Sequence, residues 1–187
     1  MNVLDVAAEV IDLLNSRNVG YMLVGSLSTN LYGIPRNTND ADFVLSPQTM
    51  DAATISSLLG TAYRLDPQSS FESITLTSRR VITHQETGFL MEFFDLSDDA
   101  HDRERFNRRV SISFLNRSVY VPTVEDVIIT KLRWAISGKR AKDISDVKSV
   151  LSVQQPRNLD LNYLRHWTKL HHTMALFDQL LANMNRV

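Results

Sequence analysis

Two aspartates, Asp40 and Asp42, stand two residues apart at the head of an apolar run, Phe43-Val44-Leu45. In a strand, residues i and i+2 point to one face, so the two carboxylates are held side by side. Like charges at that range repel unless a cation sits with them. An oxygen-only pair suits Mg²⁺ or Mn²⁺, which also take waters and substrate phosphates as ligands. A D-x-D alone is equally a pair of exposed acids near a strand start. Here Val44 shares the face, and a solvated face would not turn apolar one step later.

Upstream, the apolar run Tyr21-Met22-Leu23-Val24 stops at Gly25-Ser26. Glycine lets a ligand approach the backbone closely, and the free N–H groups of a helix start attract anions. The same pair also serves as an ordinary strand-to-helix turn. Arg36 and Thr38 precede Asp40 by four and two residues. An arginine there either grips a phosphate through its fork or pairs with a nearby acid.

Downstream, the segment FLMEFFDL offers Glu92 and Asp95 on opposite faces. Glu92 lies among Leu90, Met91, Phe93 and Phe94, where a carboxylate is costly unless paired or metal-bound. It is the preferred third metal ligand or general base; the alternative is an ion pair with a buried arginine. Asp95, near the strand end, reads as an ordinary exposed acid. Lys131 falls in the helical stripe of Val124, Val127, Ile128, Leu132 and Ala135. It either snorkels out or reaches a site that needs a cation, and a nucleotide phosphate would serve. Asp143 and Asp146 share a helical face, and either is a partner for Lys131 or Lys142. Arg103, Arg105, Arg108 and Arg109 form the densest basic patch, read as a solvated loop. The five histidines show no metal-ligand spacing, and Trp134 and Trp167 read as core.

The elements that position these residues follow from periodicity and punctuation. Residues 2–17 form a helix with Val3, Val6, Ala7, Val10, Leu13 and Leu14 on one stripe. Strand Tyr21–Val24 leads to a helix over Ser26–Tyr32, ended by Gly33 and Pro35. Strand Asp40–Leu45 precedes a helix from Pro47 to about Leu59, with Ser46 as its cap. A hairpin is expected within Phe71–Thr83 and a strong strand over Phe89–Leu96. Residues 98–109 read as a polar loop with helical turns. A second hairpin, Val110–Leu115 with Ser118–Val121, turns at Asn116-Arg117. Thr123 caps a helix to about Ser137, with Glu125 and Asp126 in its first turn. Helices over Asp143–Val153, Leu159 to about Lys169 and Thr173–Met184 complete the chain. The fold class is α+β: a mixed sheet flanked by helices over residues 1–122, with a helical C-terminal part over residues 123–187.

At 187 residues and 43% hydrophobic, the chain suits one domain with a helical appendage. A net charge of −1 provides no bulk positive field for nucleic acid. With no cysteine, disulfides and thiolate metal sites are excluded. The start, MNVLDVAAEV, lacks a basic region followed by an apolar core, so no signal peptide is expected. No apolar run approaches the roughly 20 residues that span a bilayer, and the default location is the cytoplasm.

Taken in order, Gly25-Ser26, Gly33, Arg36-x-Thr38-x-Asp40-x-Asp42 resembles the signature of the polymerase-beta-like nucleotidyltransferase superfamily. Later segments look like small prokaryotic relatives of the abortive-infection (AbiEii-type) toxins. These are the strand acid Glu92, the element Phe106 to Arg109, the helix around Lys131-Leu132-Arg133, and Lys142-Asp143-x-x-Asp146. The resemblance covers roughly residues 1–152. The third acid is usually aspartate and is Glu92 here. The resemblance implies metal-dependent transfer of a nucleoside monophosphate from an NTP to an acceptor hydroxyl. Asp40 and Asp42 would bind Mg²⁺ or Mn²⁺, and Glu92 would join one metal and help deprotonate the acceptor. Gly25, Ser26 and Thr38 would hold the triphosphate, with Arg36 or Lys131 assisting. A two-metal scheme activates the attacking oxygen and stabilises the leaving pyrophosphate. The acceptor is RNA (tRNA among them), a protein or a small molecule. A toxin–antitoxin pair is one setting, with an antitoxin as partner. The alternatives are a degenerate nucleotide- or partner-binding module with the same fold, and an RNA-binding module resting on the arginine patch.

Overall fold

The computed structural model describes residues 3–47 and 49–184. They form two compact units: the chain through Leu27 with Asn37–Val121, and Ser28–Arg36 with the chain from Pro122 onward.

The first unit opens with α1 (Val3–Ser16), whose stripe of Val6, Ala7, Val10, Ile11 and Leu14 is sealed from solvent. Residue 2 and the side chain of Val3, both placed in this helix by periodicity, lie outside the described residues. Next come β1 (Tyr21–Val24), α2 (Gly25–Tyr32) and β2 (Asp40–Leu45). Then follow α3 (Ala52–Leu59), β3 (Tyr63–Leu65), β4 (Ser70–Phe71), β5 (Ser78–His84) and β6 (Leu90–Asp95). The unit closes with α4 (Ala100–Asn107), β7 (Val110–Phe114) and β8 (Arg117–Val121).

The main sheet runs β1-β2-β6-β5-β3, with β4 on β5. The β2–β6 pair is parallel and the others are antiparallel, so the sheet is mixed. Period 2 splits it into two faces. One carries Leu23, Phe43, Phe93, Ala41, Met91 and Ile82, all buried, with Phe43 stacked on Phe93 at 5.3 Å. Burying each such phenylalanine is worth about 1.5–3 kcal/mol. The other face carries Asp40, Asp42 and Glu92. It turns apolar further along, where Met22, Val24 and Val44 pack with Phe106 of α4. The β7–β8 hairpin lies beside β1: Tyr21 meets Tyr120 edge-on at 5.9 Å, and Asn15 Nδ2 donates to Ser118 O at 2.8 Å.

Four local expectations are corrected. The helix expected from Pro47 starts at Ala52, capped by Asp51, which accepts from Thr54 N at 2.8 Å. Ser46 does not cap it; its N–H is spent on Gly20 O at 2.8 Å. Gln48, inside the expected helix, lies outside the described residues. The polar stretch 98–109 contains a full helix over Ala100–Asn107, because Asp99 accepts from His101 N and Asp102 N at 3.1 Å each. Its covered side is polar apart from Phe106, with Asp102 on Arg105 at 2.9 Å, which hides it from a hydrophobic pattern. The second hairpin turns at Leu115-Asn116, both at positive φ (51° and 60°), as a two-residue primed turn requires. Strand β3 was not foreseen; three residues of mixed polarity carry little period-2 signal.

The second unit contains the end of α2 and α5 (Val124–Ser137), α6 (Ala141–Gln154), α7 (Leu161–Leu170) and α8 (Met174–Met184). A 3-10 turn at Pro156–Asn158 separates α6 from α7. The core joins Ile128, Leu132, Val147, Leu151, Leu164 and Phe177, with Tyr32 packed against it. Thr123 caps α5 as expected, accepting from Asp126 N at 3.4 Å.

Candidate active site on the sheet face

The apolar strand β1 ends where Gly25 adopts φ +65°, a left-handed conformation that lets α2 start with no intervening loop. The reason for glycine is also steric. A Cβ at Gly25 would lie 1.7 Å from Asp42 Oδ2, so the Asp42 carboxylate occupies the space a side chain would need. Val24 is the register partner of Asp42 on β2, which brings the start of α2 and the carboxylate together. Ser26 is buried.

Asp40 and Asp42 share one face of β2, both half-buried, between buried Ala41 and Phe43. The Thr38 hydroxyl donates to Asp40 Oδ1 and fixes that carboxylate. Across the parallel pair, Glu92 is the register partner of Asp42. Its carboxylate is gripped by Arg79: Nε donates to Oε2 at 2.7 Å and Nη2 donates to Oε1. The Arg79 guanidinium is held more firmly protonated, first by the hydrogen bond to Glu92; burial opposes this, and the charges of Glu92, Asp42 and Asp40 add to it.

Arg79 was not singled out in the sequence. The signal was there: an apolar strand holding Glu92 calls for a cation, and Arg79-Arg80 sit in the adjacent hairpin strand. Asp40 and Asp42 fit a hard divalent cation as oxygen donors on one partly shielded face. Glu92, with both oxygens in the arginine fork, does not fit one in the same arrangement.

Arg36 and Lys131 belong to the second unit. Both converge on Asp146. Arg36 Nε lies 3.0 Å from Oδ1, and Lys131 Nζ lies 2.8 Å from Oδ2. Lys131 also donates to Asp143 Oδ1 at 2.9 Å, and Arg140 Nε lies 3.0 Å from Asp143 Oδ2. Lys131, Asp143 and Asp146 are all buried. Burial pushes the Asp146 carboxyl upward, but hydrogen bonds from Arg36 and Lys131 outweigh it and hold the group below the usual carboxylate range. The sequence spacing offers Asp143 and Asp146 as alternative partners for this lysine, and the structure shows it using both acids at once.

Neither a protein-family profile nor a curated protein sequence matches the chain. Solved structures do. One is ANT(2″)-Ia, whose crystal structure is in complex with adenylyl-2″-tobramycin. It has a TM-score of 0.62 at 13% identity, over 91% of this chain and 97% of that one. Another is an antigenic nucleotidyltransferase-like protein from Paracoccidioides brasiliensis, with a TM-score of 0.53 at 16% identity, over 92% of each chain. A third is the lincosamide antibiotic adenylyltransferase LnuA, lincomycin-bound, with a TM-score of 0.52 at 18% identity, over 79% of this chain and 95% of that one. At these identities the likeness is one of architecture, and the architecture, a mixed sheet flanked by helices, is the nucleotidyltransferase fold.

Proposed function

We propose that the chain is a nucleotidyltransferase that moves AMP from ATP to a hydroxyl of a small-molecule acceptor. The observation that carries this is the pairing of Asp40 and Asp42 on one face of β2, with Gly25 at the start of α2 closed against Asp42. Asp40 and Asp42 hold Mg²⁺ or Mn²⁺, and Thr38 orients Asp40. A cation held there would supply charge neutralisation for the triphosphate and for the leaving pyrophosphate. The backbone N–H groups at Gly25 and Ser26 hold phosphate oxygens. Glu92 completes the acidic face beside Asp42. Arg36 and Lys131 have their charges matched by Asp146 and Asp143, so the phosphate-holding role goes to Gly25 and Ser26. AMP transfer to a small hydroxylated molecule is supported by ANT(2″)-Ia, seen with an adenylylated tobramycin, and by LnuA, an adenylyltransferase seen with lincomycin.

A second reading, a degenerate module that binds nucleotide or a partner without transfer, is favoured by the grip of Arg79 on Glu92, which occupies both oxygens of that acid. The deciding experiment is incubation with α-labelled ATP, GTP, CTP and UTP, Mg²⁺, and in turn an aminoglycoside and lincosamide panel, total RNA, and cell protein. The expected result is Mg²⁺-dependent label on a small molecule, abolished by Asp40→Ala. Label on tRNA or protein instead points to the toxin setting with its antitoxin partner. No label in any arm, with ATP still bound, establishes the degenerate module.

A further inference from the structure

We infer that Arg79 stands in for a second metal ion, so that the carboxylate face takes one divalent cation, on Asp40 and Asp42, and not two. The inference rests on the reading of Asp40 and Asp42 as cation ligands.

Asp40, Asp42 and Glu92 put three carboxylates on one face of two neighbouring strands. Such a face needs positive charge whether or not a metal is bound. Arg79 supplies it from within the sheet. On the antiparallel pair β5–β6, Arg79 stands opposite Phe94 and Val81 stands opposite Glu92, so arginine and glutamate are diagonal neighbours. That diagonal spans roughly 7–8 Å between backbones, which favours a glutamate over the shorter aspartate.

The guanidinium fork uses both oxygens of Glu92, and its remaining nitrogen, Nη1, donates to Ser70 Oγ of β4 at 3.3 Å. The two side chains are 35% and 15% exposed, so the pair is partly desolvated and geometrically committed. An ion bridging Asp42 and Glu92 would have to take an oxygen already bound by Arg79. It would also have to sit beside a fixed cation, a repulsion that partial burial strengthens. The field of Asp40 and Asp42 reaches Arg79, since their charges help hold the guanidinium protonated. The site therefore carries one permanent positive charge and room for one exchangeable cation. Arg79 is a positioning residue: it fixes Glu92 and sets the metal count.

The test counts Mn²⁺ bound per chain by electron paramagnetic resonance, with saturating α,β-methylene-ATP. Wild type is expected to hold one ion, Asp42→Asn none, Arg79→Lys one, and Arg79→Gln two, because the freed Glu92 then joins Asp42. Two ions on wild type overturn the role of Arg79 and leave Asp40 and Asp42 as cation ligands. No ion on wild type overturns that underlying reading and the inference with it. One ion on a folded Arg79→Gln, judged by its melting transition, also overturns the role. The wild-type count decides by itself if Arg79→Gln does not fold.

Discussion

Gly25 and Asp42 compete for one volume: the Asp42 carboxylate lies where a side chain on Gly25 would begin, 1.7 Å from Oδ2 to the would-be Cβ. Gly25→Ala must therefore displace Asp42 and also hold alanine at φ +65°. Strain of this kind costs about 1–3 kcal/mol. For a chain of this size that lowers the melting temperature by roughly 2–4 °C per kcal/mol. Calorimetry of Gly25→Ala should show that drop, together with loss of the rise that Mg²⁺-ATP produces in wild type. A variant that keeps the full ligand-induced rise would separate Gly25 from the site.

Asp42→Asn has a different signature. It removes one negative charge from a face that holds three carboxylates, so the ligand-free protein should melt at or above the wild-type temperature. The ligand effect should vanish. At a hundred times its Kd, a ligand that binds only the folded state stabilises by about 2.7 kcal/mol. Differential scanning fluorimetry with and without Mg²⁺-ATP reads both. An undiminished shift in this variant would remove Asp42 from the cation site.

Lys131 balances two buried acids, Asp143 at 2.9 Å and Asp146 at 2.8 Å. Lys131→Met leaves them facing each other with less compensation. Breaking a buried pair from one side costs about 3–5 kcal/mol. The double variant Lys131→Met with Asp143→Asn should recover part of that loss, because the uncompensated charge is gone. Urea midpoints measure both, and a single-variant loss below about 1 kcal/mol would show the network to be solvent-screened.

The same network makes an acid limb. Arg36 and Lys131 hold the Asp146 carboxyl below its ordinary range. A depressed carboxyl contributes stability that is full above its unfolded value, about 3.9, and fades as pH falls through the lower folded value. Wild type should therefore lose stability on acidification below about pH 4 more steeply than Asp146→Asn, in urea titrations from acid to neutral pH. Parallel curves would remove Asp146 from the acid limb.

Much of the fold was legible because its strands are strongly patterned. Asp40–Leu45 and Tyr21–Val24 were bounded as observed, since an apolar run stops at Gly25 and another begins at an acid pair. Helix α5 was read from Thr123 and Gly138, both of which act at its ends. Helix α4 was hidden because its buried side includes His101, Asp102 and Arg105, and the last two are ion-paired with each other. In the candidate site, side-by-side aspartates follow from strand period alone. The grip on Glu92 does not, because it depends on register between β5 and β6, and a slip of one residue would have turned Arg79 to the other face. Lys131 was recognisable as out of place in an apolar stripe. That it shares Asp146 with Arg36, 110 residues away from that acid, is a long-range fact no local window contains.

The second unit is stitched from chain ends that are made far apart in time. Tyr32 Oη donates to Pro122 O across 90 residues, Ile34 N to Ser149 Oγ across 115, and Gln154 Nε2 to Tyr32 O across 122. During synthesis, residues 28–36 emerge without these partners and wait on the order of ten seconds for them. Loop closures of this length slow folding, because their entropy is spent before the contacts form. The order of events on the ribosome follows: the sheet strands through β8 are all available before residues 28–36 find their permanent neighbours.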